Sequence, residues 1–535
     1  MMRTLIASLL AFVVIQASGS HVASWVPDNG DGTYRNPVIY ADYSDPDVVR
    51  AGRYFYLVSS SFISTPALPV LRSPDLVNWR IVGHVSENLP APVFDAPQHG
   101  KGVWAPSLRE HAARFYVYYG DPDLGIFMSS AVNPEGPWDP LFLVHEAKGW
   151  IDPCPLWDND GQAYLVHAWA KSRAGFNGVL TVCRMSPDGR RILDEGRPVF
   201  EGRDKHPTVE GPKFYKRNGY YYIFAPAGGV ATGWQVALRA QSVFGPYQDR
   251  IVMQQGKTAI NGPHQGGWVE TARGQSWFVH FQDADAYGRI IHLQPMTWHD
   301  DWPVIGNDPD GDGIGEPVPG GKKPNAGTSG TIEVPQTGDE FSAPAFGLQW
   351  QWAANHQRGW WDLGARPGWL RLHAVPSANY RLWDVPNLLL QKFPARTFCA
   401  TARFDLKPKY GEHTGIVVFG LNYSYLALFP SDDGRLYVVR STCIDADKGG
   451  RELDQAADLV GTIGPVDLRV DVSEGAICRF SISTDGKTFK EIGSPFQARK
   501  GAWVGARIGV FALAPAGATE TGHADIDWFR IERRD

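Results

Sequence analysis

Cysteine is scarce in this sequence. Cys154, Cys183, Cys399, Cys443 and Cys478 are spread over 535 residues, and no CxxC pair occurs. An odd number at wide spacing makes neither a disulfide scaffold nor a zinc site, though it leaves room for one or two bridges. Long basic runs are also missing, and the net charge is −6. That argues against nucleic acid as a partner and against an acidic polymer as a substrate. Beyond the N-terminus, no stretch reaches the roughly 18 apolar residues of a membrane-spanning helix, so no membrane partner is expected. The sequence does not indicate an oligomeric state.

The N-terminus reads MMRTLIASLLAFVVIQASGS. Arg3 gives a positive start, Leu5 to Ile15 a short apolar core, and Ala17-Ser18-Gly19 a small-residue cleavage site. This is the pattern of a signal peptide over residues 1–19, and it predicts a secreted or periplasmic protein.

Aromatics are plentiful, with 20 Trp, 20 Tyr and 26 Phe. They fit large β-rich cores or surfaces that stack on sugar rings. Five aromatic strands recur: Tyr54–Val58, Phe115–Tyr119, Ala163–Val166, Tyr220–Phe224 and Trp277–Phe281. Their starts lie roughly 50 to 60 residues apart, the period of propeller blades with several short strands each. Turn signals such as Asp160-Gly161 and Asn218-Gly219 precede most of them.

Roughly ten residues before each strand lies a distinctive residue, the position that converges on a propeller's axis. In order these are Asp45, Trp104, Asp152, Glu210 and His264. Three are acids. Crowded carboxylates raise one another's pKa, which sets a protonated acid beside an ionised base. An inverting glycosidase needs that division of labour.

The segments NPVIYADYSDPDVVR, VWAPSLR, WIDPCPLWDNDGQAYLV, EGPKFYKRNGYYYIF and GPHQGGWVET carry a further signal. In this order they resemble glycoside hydrolase family 43. The resemblance implies a five-bladed propeller with single-displacement, inverting chemistry. It places the general base on Asp45, the pKa-modulating and orienting aspartate on Asp152, and the general acid on Glu210. The family often has serine where this chain has Asp47, and Asp42 is a further acid nearby. Either could compete with Asp45 for the base. Substrate-binding positions fall on Trp104, Arg289, Phe62 and His264. The family's histidine at the last of these sits beneath the site and contacts a calcium ion. A lone histidine without oxygen ligands is, however, a poor site for a hard cation.

The predicted fold is all-β. A five-bladed β-propeller covers residues 30–305, a Gly/Pro-rich linker 306–337, and a β-sandwich (jelly-roll) domain 338–535. Asp308, Asp310 and Asp312 in the linker look like the start of a calcium loop, but Pro319 stands where its last ligand belongs. A solvated acidic turn fits better. The C-terminal half resembles the concanavalin-like domain of family 43 xylosidases, which implies a structural calcium near Asp339 and Asp527. It also implies a loop reaching the propeller's mouth, which favours exo action. The clustered Trp350, Trp352, Trp360 and Trp361 are read as sandwich core.

The expected activity is hydrolysis of terminal or side-chain pentose, β-D-xylose and/or α-L-arabinofuranose, from xylan or arabinoxylan oligosaccharides. The expected partner is plant cell-wall carbohydrate, and bond cleavage needs no organic or redox cofactor. Rival readings are an exo-glycosidase on arabinan or galactan, a retaining fructan hydrolase on the same shape, and a carbohydrate-binding protein with little catalysis.

Overall fold

The computed structural model describes residues 23–327, 331–462 and 464–534. The segment 1–19, where a signal peptide is expected, lies outside the described residues. The chain is almost entirely β. Five four-stranded antiparallel sheets follow one another, and each is built from consecutive strands. They start at Asp47 (blade I), Trp104 (II), Trp150 (III), Lys213 (IV) and His264 (V). This is the five-bladed propeller expected from the repeat. The aromatic strands are the second strands of the blades.

Local chemistry explains the hairpins. Asn218 and Gly219 both take positive φ, at 50° and 81°. They join Lys213–Arg217 to Tyr220–Ala227 in the two-residue turn whose twist matches the flanking strands. Blade II uses Ala112-Ala113 for the same turn, at φ 47° and 58°. Neither residue carries a sequence signal for it.

The blades pack through apolar clusters, one between each neighbouring pair. The ring closes without a shared strand. Tyr34, Val38 and Ile39 pack with Val48 and Leu57 of blade I and with Phe281 and Ile291 of blade V. Burial of these side chains, at about 1.5–3 kcal/mol each, holds the last blade to the first.

Residues 306–327 and 331–337 lie against the propeller, where Gly320–Lys322 pairs with Thr33–Arg35. Beyond them two eight-stranded sheets form a β-sandwich. Trp350, Trp352 and Trp360 are buried in its core, as expected. That core also takes in Tyr40, Ala286, Tyr287 and Ile290 of the propeller. Hydrogen bonds add to this apolar junction. Tyr287 donates its hydroxyl to the Arg396 carbonyl (2.9 Å) and accepts from the Ala476 N–H (2.8 Å). All five cysteines are buried and unpaired, so the bridges the sequence left open are not formed.

Candidate active site

Asp45, Asp152 and Glu210 come together in one cleft at the end of the propeller axis, with Phe62, Trp104 and Arg289.

One local device recurs where the blades begin. Blades II, III and V each break strand register at the first residues of their innermost strand. Left-handed backbone accompanies the breaks, at Ala105, Asp152 and Gln265. Asp45 and Gly211, beside the first strands of blades I and IV, are left-handed too. Such bulges re-aim side chains next to active sites. Here they turn a residue of each blade toward the axis instead of into the sheet.

Asp45 is buried. Its Oδ1 accepts from Arg289 Nη1 at 2.9 Å, and its Oδ2 from Ser60 Oγ at 2.6 Å. Ser60 Oγ in turn accepts the Ala105 N–H at 2.8 Å, which ties blade I to blade II. Asp152 Oδ2 accepts the Gly211 N–H at 2.8 Å. Burial pushes the Asp152 carboxyl well above the usual range, and the Asp45 charge adds to this against the Gly211 N–H. Glu210, next to Gly211, is raised too. Burial is the main cause, then the Asp152 charge, while Arg289 pulls the other way. Its side chain keeps 28% exposure, toward the cleft. The cleft therefore pairs one arginine-bound carboxylate with two carboxyls biased toward holding a proton.

Other expected residues fall as follows. Phe62 lines the cleft at φ +50°. Trp104 lines it and donates its indole N–H to the Gly100 carbonyl at 3.0 Å. Arg289 lies over the Phe281 ring, 4.8 Å from its centroid. His264 needs correction as a substrate-binding residue. The blade V bulge puts Gln265 in the cleft and leaves His264 behind Glu210, fully buried, with Nε2 3.5 Å from Glu210 Oε1. Burial pushes its imidazole down to about 3, so it is neutral. Neither rival acid lines the cleft. Asp47 is buried against Arg109 Nη1 (2.6 Å) and the Leu108 N–H (2.9 Å).

Of the two acids expected near a structural calcium, Asp339 and Asp527, the first has surroundings that do not suit a cation. The Asp339 carboxylate accepts from the Phe341 and Gly347 N–H groups and the Trp350 indole, all within 3.0 Å. A cage of N–H donors suits an anion and repels a cation. Among the described residues, the acids that converge are Asp308, Asp310 and Asp312, with ligand oxygens within 4.8 Å. Asp308 accepts the Gly311 and Gly313 N–H groups with its two oxygens, as a solvated acidic turn does.

Residues 34–303 match the model of glycosyl hydrolases family 43. The chain belongs to that family. Residues 338–532 match the beta xylosidase C-terminal concanavalin A-like domain. A putative beta-xylosidase of Xylanibacter ruminicola is 43% identical over 491 residues, covering 90% of this chain and 86% of that protein. A non-reducing end alpha-L-arabinofuranosidase of Bacteroides ovatus is 30% identical, covering 93% and 94%. The family 43 protein of Bacillus licheniformis superposes with a TM-score of 0.80 at 26% identity, covering 94% of this chain and all of that one. The protein is thus a glycosidase by family.

Sequence reasoning did not find four residues of this family 43 cleft. Ser60 holds the Asp45 carboxylate, and Gln265 and Val230 line the walls. The fourth is Trp503, from the sandwich. It stands edge-on to Trp104 at 6.2 Å and keeps 52% exposure at φ +67°. The resemblance of the C-terminal half implied a loop at the propeller's mouth, but nothing in GAWVG singles out Trp503 in the sequence.

Proposed function

We propose that the chain is a secreted, inverting glycoside hydrolase. It removes terminal or side-chain pentose, β-D-xylose and/or α-L-arabinofuranose, from xylan or arabinoxylan oligosaccharides. The observation that carries this is the cleft's division of carboxyls, with Asp45 held by Arg289 and Ser60 while Glu210 and Asp152 are pushed toward the protonated form.

In this reading Glu210 is the general acid and gives its proton to the glycosidic oxygen. Asp45 is the general base and takes a proton from the water that attacks the anomeric carbon from the opposite face. Asp152 holds the Gly211 N–H and so orients Glu210, and its charge sets when Glu210 releases its proton. Arg289 balances the negative charge on the base side. Trp503 narrows the mouth, which favours removal of single terminal sugars. Both pentoses belong to the proposal because the relatives carry both names. Secretion rests on the composition of residues 1–19.

The test is a pair of initial rates, on aryl β-D-xylopyranoside and aryl α-L-arabinofuranoside, with Glu210→Gln beside the wild type. Hydrolysis of at least one, lowered at least about 10²-fold in the variant, supports the assignment. Hydrolysis of neither contradicts it and turns attention to arabinan, galactan or a binding role.

A further inference from the structure

Asp42 lies three residues before Asp45, outside the cleft, and is buried at 5% exposure. Its two oxygens face two different parts of the site. Oδ1 accepts the Arg289 N–H at 2.9 Å and the Ser44 hydroxyl at 3.1 Å. Oδ2 accepts the Gly505 N–H at 3.0 Å. Arg289 opens the third strand of blade V and carries the guanidinium that grips Asp45. Gly505 belongs to the sandwich loop that carries Trp503 into the cleft. The two donors are 247 and 463 positions away along the chain.

Packing leaves this carboxylate no slack. A Cβ on Gly288 would lie 2.6 Å from Asp42 Cβ, and one on Gly505 would lie 2.7 Å from the Gly288 nitrogen. The backbones of blade V and the sandwich loop therefore touch where Asp42 joins them. Two sandwich cations, half-buried Lys392 and buried Arg507, feel the Asp42 charge. Burial pushes Lys392 down to about 8, against that charge. Arg507 donates to Ser64 on the propeller side. Asp42 is thus the anion of a buried junction, and its hydrogen bonds go to the site's own backbone.

We propose that Asp42 is a positioning residue whose carboxylate clamps Arg289 against Asp45 and, with its other oxygen, holds the Trp503 loop against the cleft. The catalytic arginine and the cleft wall are then set by one group. The consequence for rate rests on the glycosidase reading above, but the clamp itself does not.

The experiment uses the full chain with Asp42→Asn. The amide keeps the shape but swaps one acceptor for an N–H₂ that faces an N–H donor. Hydrogen exchange over residues 499–505 reads the clamp without reference to activity, and it should rise while the core strands stay protected. On whichever pentoside the wild type hydrolyses, kcat/KM should fall by about 10²-fold, the scale of a small misplacement of catalytic groups. The pH profile separates positioning from mere folding. Glu210 is faced by Asp45, Asp152, Arg289 and His264. Arg289 lowers its pKa, so releasing Arg289 should move the alkaline limb of kcat/KM to higher pH. Ser44→Ala removes one donor to Asp42 and should give smaller shifts in the same direction if Asp42→Asn folds poorly. Unchanged exchange at 499–505 in both variants overturns the proposal whatever the activity. An unmoved alkaline limb together with wild-type kcat/KM also overturns it. A wild type that hydrolyses neither pentoside refutes the pentose-releasing reading instead and leaves the exchange result to decide the clamp.

Discussion

Gly211 is a small residue on which the placement of the site's protons turns, and replacing it with alanine tests that directly. Its φ is +57°. An L-residue there costs about 1–2 kcal/mol. The new methyl would lie 2.7 Å from Gln265 Cδ and 3.0 Å from its Oε1. Those atoms end a flexible side chain that can swing aside, so overpacking adds about 1 kcal/mol, the low end for such changes. The fold should survive with a melting midpoint lower by several degrees. Activity should suffer more. The Gly211 N–H bonds Asp152 Oδ2 at 2.8 Å, and Glu210 precedes it in the chain. Losing a hydrogen bond of about 1–1.5 kcal/mol costs about tenfold in rate. Shifting Glu210 from its donor position brings the loss to about 10²-fold. The assay is kcat on an aryl pentoside at a temperature well below both melting midpoints. Wild-type kcat with a lowered midpoint would refute the reasoning, because the N–H would then matter only to the fold.

Asp47→Asn should destabilise by about 3–5 kcal/mol, because it leaves Arg109 buried without its carboxylate; calorimetry checks this, and an unchanged midpoint contradicts it. Trp503→Ala should leave the midpoint nearly unchanged, since the ring is half exposed. It should raise KM for oligosaccharides about fivefold through the lost aromatic contact of about 1 kcal/mol, read from steady-state kinetics. Acid should weaken the fold early. Burial pushes His84, His167 and His264 down to about 3, His280 to about 4, and His292 well below its usual value. The unfolded chain binds these protons below about pH 6.5 and the native chain does not, so stability is complete above that pH. It falls as pH drops, by up to about 1.4 kcal/mol per unit for each histidine. Asp152 and Glu210 act oppositely because their raised carboxyls hold protons in the native state. His99 and His413, pushed down to about 4 by burial, join the first group, and Asp121, raised to about 6, joins the second. The histidines outnumber the raised carboxyls and leave a net loss, and a urea midpoint that rises as pH falls from 6.5 to 5 would contradict it.

The propeller is legible in the sequence because its second strands are aromatic at a fixed period, and a repeat survives without knowledge of contacts. The three acids are legible because they keep one offset from those strands. The bulges that aim them are not. Left-handed backbone at Ala105 or Gln265 has no composition signal, since it follows from where the blades meet. That is why the axial position of blade V reads as His264 in sequence when Gln265 faces the cleft. Asp47 and Asp42 look alike beside Asp45 in sequence. Only distant partners, Arg109 for one and Gly505 for the other, tell them apart. The surroundings of Asp339 are illegible for the same reason, because the donors around it come from a turn and an indole no periodicity reveals.

The most direct test of the account is the anomeric form of the first sugar released. Proton NMR would follow hydrolysis of an aryl β-D-xylopyranoside, or of the α-L-arabinofuranoside if that is the better substrate, before mutarotation mixes the anomers. Attack by a water that Asp45 activates predicts the inverted anomer, α-xylose or β-arabinose, appearing first. First appearance of the retained anomer would make Asp45 a nucleophile and refute its role as general base and the single-displacement account built on it.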